Sequence, residues 1–118
     1  MAATIDDVIA ERERRLAAGF DYDFMDFRGV HRIGTTAQDL SGWGEVTTWM
    51  NAQLAIGQPN EFIDIVTDTK PCSLNVLEWA LVLRAAAKFR QPIWAASFAL
   101  QAMDPIPDDY ANDSYWQG

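Results

Sequence analysis

The stretch from Asn75 to Met103, NVLEWALVLRAAAKFRQPIWAASFALQAM, constrains the fold more than any other, because it is the longest helix-compatible apolar run in the chain. Asn75 followed three residues later by Glu78 has the form of a capping box, in which two side chains satisfy orphan backbone donors at a helix start. Between the cap and Phe89 the polar interruptions are Arg84 and Lys88, one turn apart on a narrow stripe, so most of the circumference is apolar. Pro92 lacks an N–H and disfavours helical geometry at Gln91, which predicts two segments, the second running from Ile93 to Met103. Arg84, Lys88, Arg90 and Pro92 fall inside every window of ~20 residues that would cross a bilayer, which excludes a span here. A helix this apolar in a small domain is expected to be buried jointly by the core and by an oligomeric or scaffold partner, the alternative being the core alone.

With 118 residues, 49% of them hydrophobic and 22% charged, the chain reads as one folded domain. The formal net charge of −8, from 17 acidic against 9 basic side chains, repels nucleic acid. Arginines do cluster at 12, 14, 15 and at 28, 32, but Glu11, Glu13 and Asp26 interleave with them, which predicts a solvated, ion-paired face. A single cysteine, Cys72, excludes an internal disulfide framework and is expected to be a reduced, partly buried thiol. No Cys/His cluster has metal-ligand spacing, and no cofactor is expected. Asp6 and Asp7 precede any apolar run, which is not the plan of a secretory signal. The protein is expected to act where it is made, or to leave within a larger particle.

Thr4 to Leu16 is expected to form a surface helix, with Thr4 as cap, acidic residues first and arginines last, ended by Gly19. Phe20 to Phe24 alternates aromatic and acidic residues at strand period, and Gly29 to Ile33 offers a partner, which predicts a hairpin. Asp21, Asp23 and Asp26 lack the spacing, glycine turn and distal Glu of a calcium loop, so they are read as wet-face residues. His31, the only histidine, is assigned a strand-face or turn-region hydrogen bond. Thr36 and Asp39 repeat the capping-box spacing, predicting a helix over Ala37 to Ile56, ended by Gly57. Gly42 and Gly44 would be explained by close approach of another backbone or by a break, and Trp43, Val46, Met50 and Leu54 share the face that should pack on the long helix. Phe62 to Thr67 reads as a strand, Asp68 to Pro71 as a turn, and Cys72 to Leu74 as a short strand pairing back. The predicted core joins the Trp43 face to Trp79, Leu83 and Phe89 over Ile63 and Ile65.

The fold class is therefore α+β: a surface N-terminal helix, small antiparallel hairpins, and a long apolar C-terminal helix pair interrupted by Pro92. The domain is expected to cover residues 1–103. Residues 104–118 carry four aspartates, two prolines, Tyr110, Tyr115 and Trp116, and read as an extended arm. The preferred expectation is that its aromatics dock on a neighbouring protein; the alternative is that the arm folds back over the long helix.

ERERRLAAGFDYDF, RGVHRIGTT, IVTDT, the capped Glu-Trp helix and RQPIWAASFALQAMDPIP together resemble a domain-of-unknown-function family associated with tail-fibre and tail-tip proteins of tailed bacteriophages. The resemblance spans nearly the whole chain, with one departure, Lys70 where a turn glycine is expected. That family has no catalytic signature. What the resemblance implies is a virion component, made in the host cytoplasm: a non-enzymatic tail or tail-fibre adaptor or decoration subunit. Its implied partners are other phage structural proteins and copies of itself, with neither nucleic acid nor membrane. The interface candidates are Trp43, Trp94, Phe98, Tyr110, Tyr115 and Trp116. An assembly chaperone absent from the mature particle is the competing role. A small enzyme would require a deep pocket joining His31 to two of Asp21, Asp23 and Asp26.

Overall fold

The computed structural model describes residues 2–117. In order they form α1 (Ile5–Leu16), β1 (Phe20–Asp23), β2 (Val30–Ile33), α2 (Ala37–Ala55), β3 (Ile63–Val66), β4 (Pro71–Leu74) and α3 (Val76–Gln101). The class is α+β, as the sequence predicts. The strands make two separate antiparallel hairpins, β1 with β2 and β3 with β4. They are joined through the turn after β3, where Asp68 N donates to the Arg32 carbonyl at 2.9 Å and Arg32 N donates to Thr69 Oγ1 at 2.8 Å. That turn does not need the expected glycine at Lys70. The Thr67 hydroxyl accepts from Lys70 N at 3.2 Å and donates to the Lys70 carbonyl at 2.8 Å, closing the turn without a positive φ.

All three long helices begin with capping boxes: Thr36 with Asp39 and Asn75 with Glu78, as expected, and Thr4, expected only as a cap, with Asp7. The long helix does not divide at Pro92. α3 is one helix of 26 residues, about 39 Å long. Proline removes a single bond, the one its nitrogen would give to the carbonyl of Lys88, a solvent-exposed residue whose carbonyl water can satisfy. Ile93, Ala96 and Leu100 beyond it are buried, so packing holds the helix together across the gap.

Each half of α3 serves its own core. Trp79 and Val82 meet Ile33, Met50, Ile65, Cys72 and Leu74, while Ile93, Ala96 and Leu100 meet Val8, Leu16 and Trp116. Phe89, expected in the first cluster, packs on the second and stacks with Phe20 at 5.3 Å between ring centres, which bridges the two. Leu54 also departs from expectation and is exposed. Gln53 takes the inward position instead, because its amide donates to the Gln58 carbonyl at 3.1 Å and to Glu61 at 2.8 Å where the chain turns away. Cys72 is free and buried.

The arm is not extended. Residues 104–117 fold back, through turns and a short 3-10 segment at Asp113–Tyr115, onto α1 and α3. Trp116 is 3% exposed and its indole donates to the Tyr110 carbonyl at 2.8 Å. Arg15 secures it, donating to the Ala111 carbonyl at 2.9 Å and pairing with Asp113 at 2.7 Å, with the guanidinium over the Trp116 ring. Docking of this arm in trans through Trp116 is thus replaced by burial in cis: Val8, Leu16 and the second half of α3 leave an apolar gap that the indole fills. The arginines of α1 are correspondingly not a purely solvated face. Arg12 lies over Trp94, and buried Glu11 pairs with Arg14 at 2.6 Å.

Gly42 and Gly44 lie within the uninterrupted α2, and a methyl group built on either would meet nothing within 4 Å. Neither close approach nor a break accounts for them. Gly44→Ala is therefore expected to raise stability by about 0.5–1 kcal/mol, through the lost backbone entropy of the unfolded chain; a loss in denaturant unfolding would show that the site is not free. Trp116→Ala, by contrast, is expected to cost ~3–5 kcal/mol in the isolated chain. An unchanged unfolding midpoint would restore the arm to a role outside its own domain.

Candidate functional site

The tip of the first hairpin, residues 24–29, is shaped by its aspartates. Asp23 accepts from Met25 N at 2.8 Å and Asp26 accepts from Arg28 N at 2.9 Å, each reaching two residues along the chain. The wet-face reading of Asp23 and Asp26 is thus incomplete, because both also fold the turn. Met25 sits at φ 63, a left-handed conformation unusual for a long side chain. The turn holds its largest apolar groups outward: Met25 is 84% and Phe27 96% exposed.

Arg28 anchors that tip to the body. Its guanidinium donates to Asp26 Oδ2 at 2.6 Å, to the Ser73 carbonyl at 2.9 Å and, in a short contact, to Glu78 Oε2. It also lies over the Phe24 ring, 4.7 Å from its centre. One side chain thereby joins the first hairpin, β4 and the capping box of α3. The hydrogen bonds to Asp26 and Glu78 push the arginine above its ordinary pKa, and the Arg28 hydrogen bond holds Glu78 below the ordinary carboxylate range.

Beside this clamp opens a cleft of about 570 Å³, lined among others by Phe27, Arg28, His31, Phe62, Cys72 and Glu78. His31 forms part of the wall from β2. It is 1% exposed, and its Nδ1 lies 2.8 Å from Thr67 Oγ1. The hydrogen bond assigned to it is therefore present. Its Nε2 has no partner. Burial pushes the Cys72 thiol up, which makes it a poor nucleophile. Asp26 alone of the three aspartates named with His31 reaches this cleft; Asp21 pairs with Arg32 at 3.2 Å, and Asp23 serves the turn. Of the two aspartates that the enzyme reading asks for beside His31, one, Asp26, is present; the second carboxylate lining the cleft is Glu78, which is paired with Arg28. Among the described residues no group of three or more His, Cys, Asp or Glu could hold a metal ion, and no helix is long and apolar enough to cross a membrane.

The six aromatic interface candidates do not come together. Trp43 meets Trp79 edge to face at 5.9 Å and lines a separate cavity of about 310 Å³ between α2 and β3. Trp94 stacks with Phe98 at 6.2 Å under the Arg12 guanidinium, and Phe98 is the most exposed of the set. Tyr110, Tyr115 and Trp116 belong to the second core, with the Tyr115 hydroxyl donating to Asp109 at 2.9 Å. Among the exposed apolar side chains that sequence reasoning missed are Met25, Phe27, Phe62, Val66, Leu77 and Leu81. A signal for the first two was present: large apolar residues within a predicted turn, where no strand partner can cover them.

The chain matches no family model, no curated protein and no solved structure.

The lowered Glu78 pKa fixes the sign of a pH dependence. The unfolded chain takes up the proton first, so stability present above the ordinary glutamate value of about 4.3 is lost as pH falls through the depressed folded value. Glu78→Gln keeps a residue suited to the capping box but removes the charge. It is expected to lower stability at neutral pH and to flatten the acid limb of the unfolding midpoint plotted against pH; an unaltered acid limb would show that the Arg28 clamp contributes nothing.

Proposed function

We propose that this chain is a non-enzymatic adaptor subunit of a bacteriophage virion, associated with the tail or tail fibre, present in several copies and working through protein–protein contacts. The phage setting rests on the sequence resemblance. The observation that carries the adaptor role is the hairpin tip, where Met25 and Phe27 stand in solvent and where Phe27, with Phe62, lines the neighbouring cleft. A monomer gains nothing from holding two large apolar groups outward on a tip braced by a three-way arginine clamp; a partner that covers them does. The proposed interface therefore centres on the hairpin tip rather than on the C-terminal aromatics, with Phe98 the most exposed of the earlier candidates.

Phe27→Ser tests the reading, since a side chain so exposed adds little to folding. The unfolding midpoint of the isolated chain is expected to stay unchanged, while the amount recovered in purified particles falls about tenfold or more, the size of an interface hot-spot truncation. Protein that never enters particles would overturn the adaptor role, and its presence in lysate but not in mature virions would assign it to assembly instead.

A further inference from the structure

Any packed helix leaves one face in water, and that face is ordinarily polar. The outer face of α3 is not. Leu77 and Leu81 stand exposed at its start, Ala95 and Phe98 at its end. Between them are Arg84, Lys88 and Gln91, the only polar side chains among the exposed residues of the helix; the others are alanines. These seven positions alternate at spacings of four and three residues, the a and d seam of a coiled coil. The seam runs ~32 Å along the rod.

The charge on this face defines the chemistry of what covers it. The chain carries 17 acidic against 9 basic groups, so carboxylates are plentiful. Arg12, Arg14, Arg15, Arg28 and Arg32 each pair with one. Arg84 and Lys88 pair with none among the described residues, and the one carboxylate of α3, Glu78, is held by Arg28. An acidic protein thus keeps one face that is apolar and purely basic. A second copy of α3 is a poor occupant. Parallel pairing sets Arg84 against Arg84 and Lys88 against Lys88, and antiparallel pairing centred on the seam brings the two Lys88 side chains together. An anionic membrane is no better, since two cations do not overcome a net charge of −8.

We infer that the outer face of α3 is the docking surface for an acidic amphipathic helix of a different protein, whose apolar seam covers Leu77, Leu81 and Phe98 while carboxylates at its edges pair with Arg84 and Lys88. Docking here needs neither the hairpin tip nor the virion setting, so this surface and the adaptor role are tested apart. The probe is a fluorescently labelled peptide of four heptads with leucine at a and d and glutamate at e and g, whose own charge opposes self-pairing. A companion peptide carries lysine in place of glutamate. Titrated with the full chain, the glutamate peptide is expected to bind saturably and the lysine peptide at least ~10-fold more weakly. The net charge of −8 favours the lysine peptide everywhere else on the molecule, so the opposite preference locates binding on the seam.

Arg84→Glu combined with Lys88→Glu, at exposed positions where glutamate suits a helix, should reverse the preference. Leu77→Ser and Phe98→Ser, at opposite ends of the seam, should each weaken the glutamate peptide about tenfold. No saturable binding, preference for the lysine peptide, a preference that the double substitution leaves unreversed, or full affinity in either serine variant would each overturn the inference. So would a parent chain that sediments as a dimer and becomes monomeric on Leu77→Ser, which would give the face to a second copy. Binding to phosphatidylserine vesicles that the double substitution removes would overturn it in favour of a membrane. Should a variant not fold, the two peptides on the parent chain still decide.

Discussion

An unbroken α3 is what the rest of the molecule depends on. Its first half faces α2 and the hairpins and its second half faces α1 and the folded-back C-terminal segment, so the two cores share no other continuous element. Interior proline costs a helix ~3 kcal/mol or more, and Ile93 and Leu100 just beyond it are each buried, worth roughly 1.5–3 kcal/mol apiece. Tertiary burial therefore outweighs the local preference to stop. The longest dimension, 56 Å against 29 and 21 Å for the others, follows from that single rod with a core at each end.

A chain of this size has little apolar mass to spend on two cores, and arginine supplies part of the difference. Arg12, Arg15 and Arg28 lie over Trp94, Phe24 or Trp116: Arg12 over Trp94 at 4.4 Å, Arg15 over Trp116 at 5.1 Å and Arg28 over Phe24 at 4.7 Å. In each case the guanidinium lies over the ring and also pairs with a carboxylate. The same device that closes the second core also braces the first hairpin, which is why its tip projects apolar side chains in a defined direction.

The cleft lies where these consequences meet. Its polar wall was invisible as a site in the sequence, because Arg28 and Glu78 are 50 residues apart and His31 meets Thr67 only when the two hairpins lie side by side. Arg28 read by itself as one more ion-paired surface residue. The structure makes it a junction, and the position of Phe27 beside it follows from that junction rather than from any local pattern. The C-terminal aromatics show the converse. Tyr110, Tyr115 and Trp116 have the composition of an interface, but composition does not distinguish a foreign partner from the molecule's own α1 and α3.

Local chemistry determined what lies within a few residues of itself. Capping residues set where the helices begin, strand-period alternation set the first hairpin, β-branched Ile63, Ile65 and Val66 set the second, and Gly57 set the end of α2, because each depends on hydrogen bonds or steric limits spanning about one turn. Elements were legible for that reason, and so was the α+β class. Tertiary structure alone decided whether Pro92 ended a helix, whether Leu54 or Gln53 faced inward, where Trp116 was buried, and which aromatic rings stayed in water. Those outcomes turn on burial against residues distant in sequence, and the energy of such burial exceeds the local preferences that a sequence displays.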